Sequence, residues 1–275
     1  MGSSEIFAPD VLAGTVAVIT GGGTGLGRAA AAELLACGAR VVICGRRAEV
    51  LDEAVEGFDS PDVRALTADI RDPADARRVI QTALDEFGRV DVLVNNAGGQ
   101  YFVPAEKIAQ KGWNAVWRLN VGATMTMTRA ALALASPSTI LNVTLSPHHG
   151  LPGMTHSSAA RAAVEGLTAE LAVELEPRGV SVIAIAAGHF ETDAMRKYPE
   201  SLRLGAGLTV PLGRLGQEPE HGWLVALLAT PLGALFNGSV VTLDGARDNW
   251  YGPWPPPDIT VDGQVPTEAR KPSLG

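Results

Sequence analysis

Eight residues near the amino end, Thr20-Gly21-Gly22-Gly23-Thr24-Gly25-Leu26-Gly27, limit the folds open to this chain. They follow an apolar run, Val16 to Ile19, and open an alanine-rich pattern from Arg28 to Cys37. A strand that turns through glycines into a helix brings backbone N–H groups, and the positive end of the helix, up to a phosphate. Gly21 suits the tight turn, Gly25 the close approach of a pyrophosphate, and Gly27 the packing of helix on strand. Glycine spacing by itself equally describes a plain flexible turn. The strand–turn–helix setting is what makes Gly21, Thr24, Gly25, Leu26 and Gly27 candidate contacts to a dinucleotide.

Downstream, β-rich runs alternate with helical patterns. Strands are expected at Val16–Thr20, Arg40–Cys44, Val63–Ala68, Val90–Asn95, Thr139–Val143, Ser181–Ala186 and Ser239–Leu243. Each is almost wholly apolar, as a strand covered on both faces requires. Helices are expected at Gly27–Cys37, Arg47–Glu56, Pro73–Phe87, Lys111–Leu134, Ser157–Glu176 and Glu218–Thr230. The alternation predicts an α/β fold, a doubly wound parallel sheet of seven strands in a single domain. Two stretches break it. Gly188 to Pro211 is an insertion at the carboxyl end of a strand, where a substrate lid would sit. Residues 247–275 form a proline-rich tail carrying Trp250, Tyr251 and Trp254, either frayed or laid on a neighbouring subunit or the pocket mouth.

Composition narrows the partners. A net charge of −8 gives no cationic excess to neutralise nucleic-acid phosphates. Two cysteines, Cys37 and Cys44, make no disulfide framework and read as small core residues in a reducing compartment. The histidines and cysteines lack metal-ligand spacing, so no metal is expected. No apolar run approaches the ~20 residues of a membrane span. The first residues lack the basic and apolar blocks of a signal peptide. A cytoplasmic protein is expected.

On these motifs the chain resembles the classical short-chain dehydrogenases/reductases over about Val16 to Gly245. The glycine turn has that family's spacing. Asn95-Asn96-Ala97-Gly98 is similar to its second signature, implying that Asn96, Ala97 and Gly98 lie near the cofactor ribose. Leu119-Asn120-Val121 is similar to the segment whose asparagine bends a helix and anchors a proton-relay water. Ala187-Gly188 with Thr192 resembles the Pro-Gly segment that holds the nicotinamide amide, Ala187 being a departure. Val240 to Gly245 resembles the closing strand. The resemblance implies a nicotinamide-binding domain over 1–246, with the lid at about 188–211.

Cofactor type follows from the end of the second strand. A site for NAD places an acid there to accept from the ribose 2′-hydroxyl. Here Cys44-Gly45 leads into Arg46 and Arg47, a bidentate match for a 2′-phosphate unless they are merely solvated. Arg28 and the Thr24 hydroxyl are further candidates. NADP(H) is therefore favoured over NAD(H). The resemblance places Asp69, with Ile70 beside it, at the adenine.

The catalytic segment departs from the family. Its pattern is a serine or threonine near the end of the fifth strand, then Tyr-X-X-X-Lys about a dozen residues on. Here Ser157 stands at the tyrosine position and Arg161 at the lysine position, and no tyrosine lies between Tyr101 and Tyr198. Thr144 or Ser146 supplies the upstream hydroxyl. Tyr titrates near ~10 and is tunable as an acid, whereas a serine hydroxyl needs a base or relay beside it. Arg161 cannot cycle a proton but can hydrogen-bond the ribose and supply charge. Ser157 and Arg161 share a helix face, with Asn120 expected behind them. Among the histidines, His148 and His149 share the loop after the fifth strand, His156 precedes Ser157 and His189 follows Gly188. Each is a packed or surface residue unless it donates a proton, and His148 is the preferred candidate donor.

One branch, the 2,4-dienoyl-CoA reductases, resembles this chain in carrying serine at the tyrosine position and in the wording of Gly21 to Gly27. Conjugate reduction needs its thioester oxygen stabilised, which hydrogen-bond donors achieve. The expected function is thus an NADP(H)-dependent oxidoreductase reducing a carbonyl or conjugated double bond of a largely apolar small molecule or acyl thioester. Two alternatives stay open: a dehydratase, isomerase or cyclase on the same scaffold, and a catalytically inactive cofactor-binding protein. Lid residues Met195, Tyr198, Leu202 and Leu204 suggest an apolar ligand. The small residues of the Ser157–Glu176 helix suggest a homodimer or homotetramer.

Overall fold

A computed structural model describes residues 2–146, 148–196 and 200–250, with the side chains of 194 and 201–204 left aside. Tyr198, Tyr251 and Trp254, and the side chains of Leu202 and Leu204, lie outside the described residues.

Seven strands form one parallel sheet: β1 Val16–Thr20, β2 Arg40–Gly45, β3 Val63–Thr67, β4 Val92–Asn95, β5 Thr139–Leu145, β6 Ser181–Ala187 and β7 Val240–Leu243. Their spatial order is β3-β2-β1-β4-β5-β6-β7. Direction along the sheet reverses between β1 and β4, opening a crevice at the carboxyl ends where ligands of such sheets bind. Side chains alternate between two cores. Ala17 and Ile19 of β1 join α1 (Gly25–Ala36), α2 (Ala48–Phe58) and α9 (Glu218–Ala229) on one face. Val16 and Val18 join α3 (Pro73–Phe87), α5 (Ala123–Leu134) and α6 (Thr155–Leu175) on the other. Burial of both faces is why the five inner strands are so apolar, while the edge strands β3 and β7 are only partly covered. α3 begins as its sequence implies, with Asp72 accepting from Ala74 N–H at 2.8 Å and Pro73 in the first turn.

Three departures from the sequence reading shape the site. The helix expected over Lys111–Leu134 is two, α4 (Gln110–Trp117) and α5, joined by a π-helical turn at Arg118–Gly122. Asn120 sits in that turn, its Nδ2 donating to Val116 O at 2.8 Å and across to Gly99 O at 2.9 Å. A side chain inserted into the backbone ladder is a recognised origin of such a bulge. β5 runs two residues past the expected Val143 and carries Thr144 in its last turn of pleat. The insertion after β6 contains two short helices, α7 (Asp193–Arg196) and α8 (Glu200–Leu208).

A buried polar chain fixes α6 against the sheet. Asn95 Nδ2 donates to Asn142 Oδ1 at 2.9 Å, and Asn142 Nδ2 donates to Thr168 Oγ1 at 2.9 Å. The two asparagines are register partners on β4 and β5. Interior amides must find partners, so this linkage holds one rotation of α6 rather than several.

Candidate functional site

At the amino end of the crevice the glycine turn is shaped by what crowds it. Gly21 has φ +69, in the left-handed region that favours glycine, and its N–H donates to Cys44 O at 2.8 Å. A Cβ on Gly27 would overlap Asn96 Nδ2 and the Gly21 carbonyl. Asn96 is wedged there by donating from Nδ2 to Thr20 O at 2.9 Å, while Thr20 Oγ1 accepts from the N–H of Asn96 and of Ala97 at 3.0 and 2.9 Å. Thr24 is exposed and extended at the start of α1, its side chain making no capping bond. Leu26 packs against the core beneath. Gly25 faces the lid, where Thr192 accepts from Met195 N–H at 3.2 Å.

Arg46 and Arg47 lie exposed where β2 gives way to α2. Asp69 grips Arg71, whose Nε and Nη2 donate to its carboxylate at 2.8 and 2.5 Å. That bond is the main reason the Asp69 carboxyl is held down to about 2, with Arg46 adding to it. Ile70 beside it is buried. Arg28 does not join the pair. Its guanidinium turns away over the Phe58 ring, 5.9 Å from the centroid, at the far end of α2. Cation–π packing against an aromatic near its own helix holds it there.

The opposite wall gathers the reactive groups. Arg161 is half-buried, donating from Nη1 to Val143 O at 2.7 Å, and its Nη2 and Asn120 Oδ1 fill the space a Cβ on Gly98 would need. Burial lowers its guanidinium to about 10, against the pull of Glu165 one turn along α6. Thr144 donates to Glu165 Oε1 at 2.7 Å. Ser146 is tied elsewhere, its hydroxyl donating to the Asp244 carboxylate and its N–H to Ala187 O at 3.0 Å. Asp244 in turn leans on Gly188, where a Cβ would come within 2.5 Å of its own Cβ.

His148 is not a free donor aimed at the pocket. Its Nδ1 is bonded to Asp248 and its Nε2 lies 3.0 Å from Glu165 Oε1. Burial opposes its charge, but the two carboxylates outweigh burial and raise its pKa. Ser157, expected at the vacated tyrosine position, is buried and its hydroxyl has no hydrogen-bond partner. His156 is buried against the edge of the Tyr101 ring, centroids 4.4 Å apart, with neither ring nitrogen paired. His189 is half-buried, and burial lowers its pKa, helped by Arg247.

Comparison with known proteins decides the family. The short chain dehydrogenase family model matches residues 15–203. A probable 2,4-dienoyl-CoA reductase of Bacillus subtilis is 36% identical over 250 residues, covering 86% of this chain and 97% of that protein. A citronellol catabolism dehydrogenase of Pseudomonas aeruginosa superposes with a TM-score of 0.79 at 35% identity, over 90% of this chain and 100% of that one. A 3-ketoacyl-(acyl-carrier-protein) reductase of Brucella melitensis, solved with NADH, superposes with a TM-score of 0.80 at 29% identity, over 86% and 99%.

The chain belongs to the short-chain dehydrogenase/reductase family. It is an oxidoreductase of a family that binds a nicotinamide cofactor and acts on small molecules. Among the described residues no helix is long and apolar enough to cross a membrane. Of the groups expected from sequence, the structure joins Thr144, His148 and Arg161 around Glu165, joins Ser146 to Asp244, and leaves Ser157 outside both sets. Sequence reasoning passed over Glu165, Asp244 and Asp248. Glu165 was signalled by its place four residues after Arg161 on one helix face. Asp244 and Asp248 carry no local signal, because their partners lie about a hundred positions away.

Proposed function

We propose that this protein is an NADP(H)-dependent reductase that saturates a conjugated carbon–carbon double bond of a largely apolar acyl thioester. The observation that carries the reading is the character of the reaction wall: the Arg161 guanidinium stands there, with a serine, Ser157, rather than a tyrosine four residues before it on α6. Ketone reduction needs an acid that gives a proton to oxygen, whereas conjugate reduction needs the thioester oxygen held while hydride adds to carbon. The Bacillus subtilis relative is described as a 2,4-dienoyl-CoA reductase, which supports that choice. Exposed Phe102 and Leu212 support an apolar ligand, since they pack against Gly153 and Gly245 beside the reaction wall.

The cofactor fits the chain on its own terms. Gly21, Thr24, Gly25, Leu26 and Gly27 leave room for a pyrophosphate at the start of α1. Arg46 and Arg47 stand for the 2′-phosphate, Asp69 and Ile70 flank the adenine, and Asn96, Ala97, Gly98 and Arg161 meet the nicotinamide ribose. Gly188 and Thr192 hold the nicotinamide amide. When bound, the nucleotide supplies the hydride. Asn120 and Arg161 position the substrate and the Thr144 hydroxyl donates to it, with His148 set back behind Glu165, while Ser146 is held by Asp244 and Ser157 is buried without a partner. The small-residue face of α6, with Val173 77% exposed, suits pairing into a homodimer or homotetramer.

Incubation of 2,4-hexadienoyl-CoA with NADPH deuterated at C4 tests the reading. Deuterium is expected in the product carbon chain, with NADPH preferred to NADH. Turnover without label, or none with either nucleotide, refutes it.

A further inference from the structure

Hydride addition leaves the substrate one proton short. On the reductase reading above, that proton must come from this chain or from water, and the Ser157 hydroxyl is closed off without a base beside it. The wall that holds Arg161 contains a continuous alternative. Thr144 Oγ1 and His148 Nε2 converge on the same oxygen, Glu165 Oε1, at 2.7 and 3.0 Å. Thr144 is buried at the carboxyl end of β5, next to the Val143 carbonyl that anchors Arg161. The His148 side chain is 33% exposed, so the outer end of the line meets water. Asp248 accepts from the His148 N–H at 2.7 Å and binds the ring at Nδ1, fixing which nitrogen faces Glu165.

We propose that Thr144, Glu165 and His148 form the proton relay of this enzyme, with Asp248 as the residue that positions the imidazole. A bound reduced nicotinamide would supply the hydride that adds to the substrate carbon as the π bond breaks, and would itself be left oxidised. The resulting enolate takes a proton from Thr144 Oγ. As it does so, His148 Nε2 passes a proton to Glu165 Oε1, Glu165 passes it on to Thr144 Oγ, and water restores His148. The net consumption is one hydride and one solvent proton, so atoms and electrons balance. Arg161 faces Glu165 from one turn back along α6, and the Glu165 charge pulls on its guanidinium.

The charges around His148 set the direction of its pH response. Asp248 faces it from the turn at 247–249, with Asp244 behind, held through the Asp248 N–H at 2.8 Å. Glu165 faces it from α6, and His149 on its own loop shares Asp248 at 3.4 Å. Among the described residues, the carboxylates of Asp248, Glu165 and Asp244 thus stand in this group with the guanidinium of Arg161 beyond Glu165 and that of Arg247 on the turn that carries Asp248. The imidazole is held protonated above its ordinary range, so relay and turnover weaken as pH rises through that raised value.

Steady-state rates with 2,4-hexadienoyl-CoA and C4-deuterated NADPH, for wild type and His148→Gln across pH, test the proposal. The variant is expected to lose at least about tenfold in kcat with KM within about twofold, less than the ~100-fold typical of a lost acid–base group because water can partly replace it. Its alkaline limb should vanish, while deuterium still enters the product. Unchanged kcat and pH profile, with deuterium transferred, overturn the relay and leave the reductase reading standing. Absence of deuterium in the wild-type product overturns both. A second measurement holds if His148→Gln folds poorly: imidazole NMR titration of the full chain. His148 should titrate above an ordinary histidine in wild type and lower in Glu165→Gln. The same titration point in both overturns the proposal.

Discussion

His221 lies on α9 with both ring nitrogens unpaired, fully buried against the edge of Phe190 at 6.1 Å between ring centroids. Burial alone lowers its pKa from the ordinary 6.5 to about 4. The folded state therefore refuses a proton that the unfolded chain accepts, and stability falls as pH drops below the unfolded value. It is intact above that value and fully lost below the folded one. Between about pH 7.5 and about pH 5 those two pKa values cost the fold about 2 kcal/mol through this one residue. For a chain of this size that is a drop of about 4–8 °C in Tm. Leucine has a similar volume and favours helix, so His221→Leu should melt no lower than wild type at neutral pH, because two unpaired nitrogens are removed. Scanning calorimetry of both proteins at the two pH values reads the difference directly. Other groups titrate equally in both, so the acid-induced loss in Tm should be smaller in the variant by about 4–8 °C. Equal losses would show that the buried imidazole is not what couples this fold to acid.

Gly27→Ala should abolish nucleotide binding by calorimetry and lower stability by about 1–3 kcal/mol, since the new methyl collides with the Gly21 carbonyl and Asn96. Arg46→Ala with Arg47→Ala should cut NADPH affinity about 10–100-fold and leave NADH binding nearly unchanged, as loss of charge-assisted phosphate contacts predicts. Parallel titrations with the two nucleotides check it. Ser157→Ala should leave Tm unchanged or slightly raised, because the hydroxyl removed has no partner. A marked drop would mean that this hydroxyl is bonded in solution.

Legibility in the sequence follows the range of the force concerned. Strands buried on both faces announce themselves as apolar runs, and all seven were readable. Their ends were less so: β4 starts two residues late because Asp91 uses its carboxylate to accept from Val16 N–H at 2.9 Å, a contact across 75 positions. The break in the α4–α5 run has a local agent, Asn120, but helical periodicity is nearly blind to one inserted residue. At the site, motif register alone was enough to single out Ser157 and Arg161. The role of His148 was not plain, because the groups that define it sit on α6 and on the turn after β7. Arg28 was misjudged for the opposite reason, since proximity to the glycine turn in sequence says nothing of the Phe58 ring that holds it.

The bonds from Ser146 to Asp244 and from His148 to Asp248 span 98 and 100 positions of chain. A polypeptide emerging from the ribosome completes its glycine turn within the first hundred residues, yet must add about a hundred more after His148 before the far wall can close. Truncation before β7 would remove Asp244 and Asp248, leaving Ser146 and His148 without these partners.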